Sequence, residues 1–197
     1  DILFQTTGRS TGLFANVDKT LRKGFEGSIS GEIQRFNWML SYSNINASFE
    51  DSFNALSPNH DFADDDDEIR VRSGEKIPGI PEHQFKFLGN YELTDGLHVG
   101  FDIARNSSQF LRGDESNQMG EIDGYTVANL RLRYIISENL EIFATVQNLF
   151  DRDFETFGLL GEEPNELEVP IIEELEIPIF IGSAHPRAGY IGLSYSF

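Results

Sequence analysis

Tyr190-Ile191-Gly192-Leu193-Ser194-Tyr195-Ser196-Phe197 alternates in a way that only an extended chain can use. Strand side chains switch faces with a period of two, so Ile191, Leu193, Tyr195 and Phe197 share one side. Tyr190, Gly192, Ser194 and Ser196 share the other. The ribbon is apolar on one side and mostly small and polar on the other, up to its final residue. The ends of soluble domains usually fray into water. An apolar end is expected where a neighbouring strand bonds it and lipid covers the outer row.

The same alternation recurs upstream, and the pattern predicts about eight strands. Their expected spans are about 1–8, 13–34, 37–49, 83–93, 97–111, 124–136, 140–157 and 187–197. Ile29, Phe87, Phe101, Leu132, Ile142 and Leu193 fall in the apolar row, and Lys86, Glu92, Asp102, Arg131 and Arg133 in the polar one. Periodicity alone fits a soluble β-sandwich as well as a membrane barrel with a wet lumen. Aromatics near strand ends (Trp38, Tyr42, Phe85, Tyr91, Tyr125, Tyr134, Phe143, Tyr190 and Phe197) favour the barrel, because such rings prefer the headgroup level. Loop lengths point the same way. Short turns follow the second, fourth and sixth strands and long connections the third, fifth and seventh, as in barrels with short periplasmic turns and long outside loops. The first link fits this alternation poorly. The expected fold class is all-β: an antiparallel transmembrane β-barrel segment.

Composition agrees by what it excludes. The chain has 197 residues, no cysteine and a formal charge of -18. Disulfides and thiolate metal sites are therefore absent. No run approaches the ~18 consecutive apolar residues of a spanning helix, a test that barrels evade because only alternate residues face lipid. The charge is concentrated in 61–68 and in a second tract across 151–176. No basic stripe exists for phosphate binding, so nucleic acid is excluded as a partner. The opening Asp1-Ile2-Leu3-Phe4 is strand-like and carries no leader, which is expected of a processed chain or a piece of a longer one.

Six segments in order resemble one family. They are Leu21-Arg22-Lys23-Gly24-Phe25-Glu26; Asn37-Trp38-Met39-Leu40-Ser41-Tyr42-Ser43; Gly74-Glu75-Lys76-Ile77-Pro78-Gly79-Ile80-Pro81-Glu82-His83; Gly124-Tyr125-Thr126-Val127-Ala128-Asn129-Leu130; Val146-Gln147-Asn148-Leu149-Phe150-Asp151-Arg152-Asp153-Phe154; and His185-Pro186-Arg187-Ala188-Gly189. Together they are similar to the barrel of TonB-dependent outer-membrane receptors, with Phe154 where the family's motif usually has Tyr. The resemblance implies the C-terminal part of a barrel of twenty-two strands across residues 1–197, with no plug domain and no TonB box in this chain. It implies an outer-membrane location in a Gram-negative bacterium and TonB-dependent uptake of a scarce ligand. A ferric siderophore is foremost, with haem, cobalamin or a glycan as other ligands. The implied partners are outer-membrane lipid, the TonB complex acting through the missing N-terminal part, the barrel-assembly machinery and the small-molecule ligand. No cofactor and no enzymatic activity are implied. The alternative is a small self-contained eight-stranded outer-membrane barrel serving as an anchor or adhesin, which requires its first and last strands to pair.

Within this frame Asn148, Leu149, Phe150 and Asp151 form a structural motif that satisfies backbone groups where a ladder opens into a loop. Leu193, Tyr195 and Phe197 resemble the signal read by the barrel-assembly machinery. Connections 50–82, 112–123 and 158–186 are expected at the outer mouth, in contact with ligand; their acidity disfavours a highly anionic ligand unless divalent cations or basic plug residues offset it. Asp64-Asp65-Asp66-Asp67-Glu68 could gather hard oxygens for Ca²⁺, but lacks an EF-hand spacing and reads as a solvated acidic loop. Arg112-Gly113-Asp114 spells an adhesion tripeptide that is routine in this family's loops. His60, His83, His98 and His185 show no metal-ligand spacing. No serine, histidine and acid form a nucleophilic arrangement, so neither a hydrolase nor a catalytic site is expected.

Overall fold

The computed structural model describes residues 2–6, 12–161 and 179–197. In chain order the strands are β1 (Ile2–Thr6), β2 (Gly12–Asn16), β3 (Thr20–Ile33), β4 (Phe36–Phe49), β5 (Phe53–Leu56), β6 (Glu68–Val71), β7 (His83–Thr94) and β8 (Leu97–Asn106). They continue with β9 (Gln109–Phe110), β10 (Glu121–Ile122), β11 (Tyr125–Ser137), β12 (Leu140–Gln147), β13 (Glu155–Leu160), β14 (Ile179–Ser183) and β15 (Ala188–Tyr195). Seven make one antiparallel meander in the order β15-β12-β11-β8-β7-β4-β3. The other eight are four two-stranded hairpins, β1–β2, β5–β6, β9–β10 and β13–β14.

The meander has seven strands because the expected first strand pairs with Gly12–Asn16 instead of joining the sheet. The long span expected over 13–34 breaks at the Asp18 bend. Two-residue turns at 34–35, 95–96 and 138–139 link β3–β4, β7–β8 and β11–β12. Tight turns require positive φ, and Gln34 and Gly96 supply it at 57° and 92°. The opposite end of the sheet carries the long connections, each folded into one of the hairpins.

Register assigns the faces. Ile29 lies opposite Leu40, Leu40 opposite Phe87, Phe87 opposite Ile103 and Ile103 opposite Ala128. Leu132 lies opposite Val99 and Ala144, and Ile142 opposite Leu193. These residues share one face, and among the described residues no protein layer covers it: Ile29 is 59 %, Leu193 63 % and Ile191 82 % exposed. Rings on this face lie against glycines and one another. Trp38 covers Gly31, and a Cβ at Gly89 would stand 2.5 Å from Phe101. Phe36 stacks on Phe101 at 6.3 Å near the short-turn end, and Phe25 meets Tyr42 at 5.4 Å near the other.

The opposite face pairs its charges. Asp102 accepts from Asn129 Nδ2 at 2.7 Å and faces Arg131 at 3.3 Å, while Arg133 donates from Nε to Glu141 at 2.8 Å. Through the middle of the sheet arginines and carboxylates sit on one side and an uncovered apolar band on the other, with Arg105 on the apolar side towards the long-connection end. A water-soluble sheet inverts that distribution, whereas a wet lumen with a lipid exterior requires it.

The packed core lies beyond the sheet, among the hairpins at the long-connection end. Val17, Phe49, Ala55, Ile69 and Val71 are buried together, with Leu3, Phe53, Ala63 and Ile77 against them. Leu111, Ile122 and Leu160 are buried around Gly158, where a Cβ would collide with Leu111 and Ile122.

Candidate functional site

The outer connections form one body, and residues 109–117 are its clamp. On one side Arg112 N donates to Gly158 O at 3.1 Å and Leu160 N to Arg112 O at 2.7 Å. Gln109 Nε2 adds a bond to Thr156 O. On the other side Gly79 N donates to Phe110 O. The Asn117 amide imitates a strand partner for Lys76, accepting from its N at 2.6 Å and donating to its O at 3.0 Å. Ser57 Oγ reaches Gly113 O, and Asn59 Nδ2 reaches Gly161 O. The expected mouth connections 50–82 and 112–123 are thus fastened to each other and to the start of 158–186. The acidic stretch 162–178 lies outside the described residues.

At the centre of this clamp is a buried polar network with no counterpart in the sequence reading. His60 Nε2 stands 2.9 Å from Asp114 Oδ1, and both side chains are fully enclosed. Asp114 also accepts from Ser116 Oγ at 3.0 Å, Gln118 N at 2.9 Å and Met119 N at 2.9 Å. A serine, a histidine and an acid therefore do meet, but not as a nucleophilic triad. His60 Nδ1 accepts the Phe62 amide at 3.1 Å, so the ring proton sits on Nε2 and donates to Asp114. Ser116 Oγ shares that same Nε2 at 3.3 Å. It finds there no free lone pair to take its proton, which a nucleophilic serine needs. The arrangement fixes a loop. It also removes Asp114 from the surface, so the Arg-Gly-Asp tripeptide cannot present its carboxylate to a partner.

Glu115 is buried beside this pair and accepts from Gly113 N at 3.3 Å. Burial pushes its carboxyl up to about 7, with neighbouring Asp114 adding to the rise and backbone donors and His60 opposing it.

The end of β12 is shaped by Asn148, which is buried at φ 48°. Its Nδ2 donates to Arg152 O at 2.9 Å and His185 O at 3.1 Å, while its Oδ1 accepts Arg152 N at 3.0 Å. Its own amide donates to Asn129 Oδ1, and Leu149 N bonds Ala128 O. Asp151 accepts Arg187 N at 2.9 Å and faces its guanidinium. One amide thereby joins β11, β12 and the approach to β15. Asn148→Ala should destabilise the folded protein by about 2–4 kcal/mol, three bonds being lost and two carbonyls stranded. Urea unfolding of the protein checks this; a loss under about 0.5 kcal/mol, the size of an ordinary surface substitution, would show that the corner holds without it.

The remaining histidines stay apart. His83 Nδ1 meets Tyr42 Oη at 2.8 Å, His98 lies opposite Glu92 and Arg133, and His185 offers only its carbonyl to Asn148. The Asp run makes the β5–β6 turn, where Asp64 Oδ1 accepts from Asp66 N and Glu68 N, both at 3.0 Å. Leu193, Tyr195 and Phe197 stand exposed, and Asn139 holds the Ser196 backbone from both sides, donating from Nδ2 and accepting at its own carbonyl.

Comparison with known proteins places this geometry. A family model described as TonB dependent receptor-like, beta-barrel, matches residues 1–149. The metal-pseudopaline receptor CntO of Pseudomonas aeruginosa is 31 % identical over 86 residues, which is 43 % of this chain and 12 % of that protein. The catecholate siderophore receptor Fiu of Escherichia coli K12 is 27 % identical over 158 residues, 78 % of this chain and 19 % of that one. The crystal structure of the siderophore receptor PiuA from Acinetobacter baumannii superposes with a TM-score of 0.70 at 15 % identity, covering 98 % of this chain and 24 % of that one. The chain thus spans under a fifth of the curated relatives' length and about a quarter of the solved receptor. An uncovered apolar face, a charge-paired opposite face and a family match over three quarters of the residues lead to one assignment: the chain belongs to the TonB-dependent receptor β-barrel family.

Proposed function

We propose that residues 1–197 are the C-terminal part of the barrel of an outer-membrane receptor, with the plug and the TonB-contacting segment supplied by other parts of the protein. The receptor takes up a scarce ligand, foremost a ferric siderophore, with energy delivered through TonB. The observation that carries this reading is the pairing of a lipid-suited face with a clamped outer platform in a chain of this family. The platform gives ligand a preformed surface, and its connections 50–82, 112–123 and 158–186 make the contacts. Its acidity favours a ligand of low net negative charge. The anchor or adhesin alternative is disfavoured, because β3 and β15 lie at opposite ends of the sheet order and do not pair. Their free edges would bond strands elsewhere in the barrel.

Asn148, Leu149, Phe150 and Asp151 serve here as the corner that closes β12. Leu193, Tyr195 and Phe197 present the barrel-assembly machinery with an apolar row on a strand whose outer edge is open.

The test uses the full-length receptor in cells starved of iron. Replacing 112–119 by a flexible linker should weaken ferric-siderophore binding about a hundredfold, the scale of losing a central contact cluster. Uptake by the unaltered receptor should stop when TonB is removed. Unchanged affinity in the linker variant would remove the platform from ligand binding, and uptake without TonB would remove the transport reading.

A further inference from the structure

The apolar row changes character at one level along the outer ends of the strands. Phe25 gives way to Lys23 on β3, Tyr42 to Asn44 and Asn46 on β4, and Phe85 to His83 on β7. Register joins these residues: Lys23 lies opposite Asn46, and Asn44 lies between Phe25 and His83. On β8 the row passes from Ile103 to Arg105. Among the described strand residues paired into this face, Lys23, His83 and Arg105 are the basic side chains, and none is Asp or Glu. Acids are not scarce, for the chain holds 33 of them against 15 lysines and arginines. The opposite face of the same strands carries Glu26, Glu32, Glu92, Asp102 and Glu141. Hydrocarbon excludes both signs of charge. A layer that admits cations at its edge and no carboxylate is itself negatively charged.

Arg105 shares its cleft with Asp123 and Asp153, so the corner at Lys23 is the better anchor for an anion. Lys23 is exposed, and among the described residues its ammonium makes no ion pair or hydrogen bond. Glu82, the carboxylate next to His83 in sequence, is held by Lys76 Nζ at 3.2 Å. The imidazole is oriented by its neighbours. Asn44 Nδ2 donates to Glu82 O at 3.3 Å and stands 3.2 Å from His83 Nδ1, with Tyr42 Oη 2.8 Å from the same nitrogen. An amide nitrogen only donates, so Nδ1 accepts and the ring proton lies on Nε2. Lys23 and His83 are two strands apart and two residues offset. That separates their Cα atoms by about 12 Å, at a strand spacing of about 4.8 Å and a rise of about 3.3 Å per residue. The two side chains can therefore reach one small anion between them. Beneath it Phe25 meets Tyr42 at 5.4 Å and Tyr42 stacks on His83 at 6.1 Å, a row of rings suited to the headgroup level.

We infer that this outer corner of β3, β4 and β7 binds the phosphate of a net-anionic lipid at the receptor's lipid boundary. Lys23 supplies the counter-charge, Asn46 and His83 Nε2 donate hydrogen bonds, and an acyl chain descends over Phe25 and Tyr42. The inference rests on the membrane placement proposed above. A lysine suits a phosphate through a charge-assisted bond.

The full-length receptor, purified in detergent, is titrated with phosphatidylglycerol or phosphatidylcholine, and retained lipids are counted by native mass spectrometry. The two lipids share a glycerophosphate and differ in net charge. The unaltered receptor should retain the glycerol lipid about tenfold better, the order of one hydrogen bond to a charged group. Lys23→Gln should remove most of that preference. Lys86→Gln, which takes a lysine from the opposite face, should leave it unchanged. Equal retention of the two lipids by the unaltered receptor, an undiminished preference in Lys23→Gln, or an equal loss in Lys86→Gln would overturn the inference. Recovery from the outer-membrane fraction reports separately on the membrane placement. A receptor that reaches that fraction without a lipid preference removes this inference alone, and one absent from it removes the parent reading as well.

Discussion

Asp114→Ala should open the outer platform while leaving the sheet intact, at a cost of about 3–5 kcal/mol to the platform, since several buried donors, each worth about 1–3 kcal/mol when stranded, lose their acceptor. Asp114 holds His60, Ser116 and two backbone amides from a fully enclosed position. Its loss leaves four donors without an acceptor and leaves Ser57 Oγ to Gly113 O as the remaining bond from the β5–β6 connection to the 112–119 loop. The measurement is hydrogen exchange on the full-length receptor in detergent. Amides at 57–63 and 112–119 should lose protection together, and those of β8 and β11 should keep it. Protection equal to the unaltered receptor would show that the backbone bonds of Arg112 and Leu160 suffice.

The same exchange experiment run against pH isolates Glu115. Its carboxyl is raised from 4.5 to about 7 by burial. A raised acid favours the folded form while it is neutral. That contribution is fully present below about 4.5 and gone once pH has risen through about 7, a difference on the order of 3 kcal/mol. Platform protection should therefore weaken between about pH 4.5 and 7, the interval bounded by the unfolded and folded values, and Glu115→Gln should flatten the dependence.

What the sequence made legible was the part governed by period two. Leu40, Phe87 and Ile103 form one continuous apolar rung because their alternation and the short turns at 34–35 and 95–96 leave no other register. Strand limits were less legible. The strand expected to run to 157 stops at Gln147, since Asn148 takes a positive φ and spends its amide on three carbonyl and amide partners. That decision is made by groups at 152 and 185, beyond any local window. The outer hairpins escaped for a related reason. Gln109–Phe110 and Glu121–Ile122 are too short to show a period, and pair only because Leu111, Ile122 and Leu160 bury one another.

The buried network was the least visible. His60 and Asp114 are 54 residues apart, and each reads alone as an ordinary loop residue. The available hint was in the run Arg112-Gly113-Asp114-Glu115-Ser116-Asn117. An Asp followed by Ser and Asn is the composition of a turn whose carboxylate collects nearby amides. Reading that run as a self-capped turn would have placed Asp114 inside.

Leu40→Arg and Met39→Arg differ by one position on β4, and they should differ sharply in effect. Leu40 lies between Ile29 and Phe87 on the apolar face, while Met39 lies between Ser30 and Leu88 on the face that carries Asp102 and Arg131. The two sites share one depth in the membrane, so thickness and strand position cancel in the comparison. An arginine among lipid tails near the midplane costs about 2–4 kcal/mol, and less towards the interfaces. An arginine on a wet lumen wall costs under about 1 kcal/mol, within the range of surface substitutions. Reversible urea unfolding of the receptor in lipid vesicles measures both. Equal losses would mean that neither face meets hydrocarbon, and a larger loss for Met39→Arg would put the lumen where lipid has been assigned. The pair discriminates because a backbone of period two changes solvent with each step along the strand, and a charge registers that change more steeply than any other side chain.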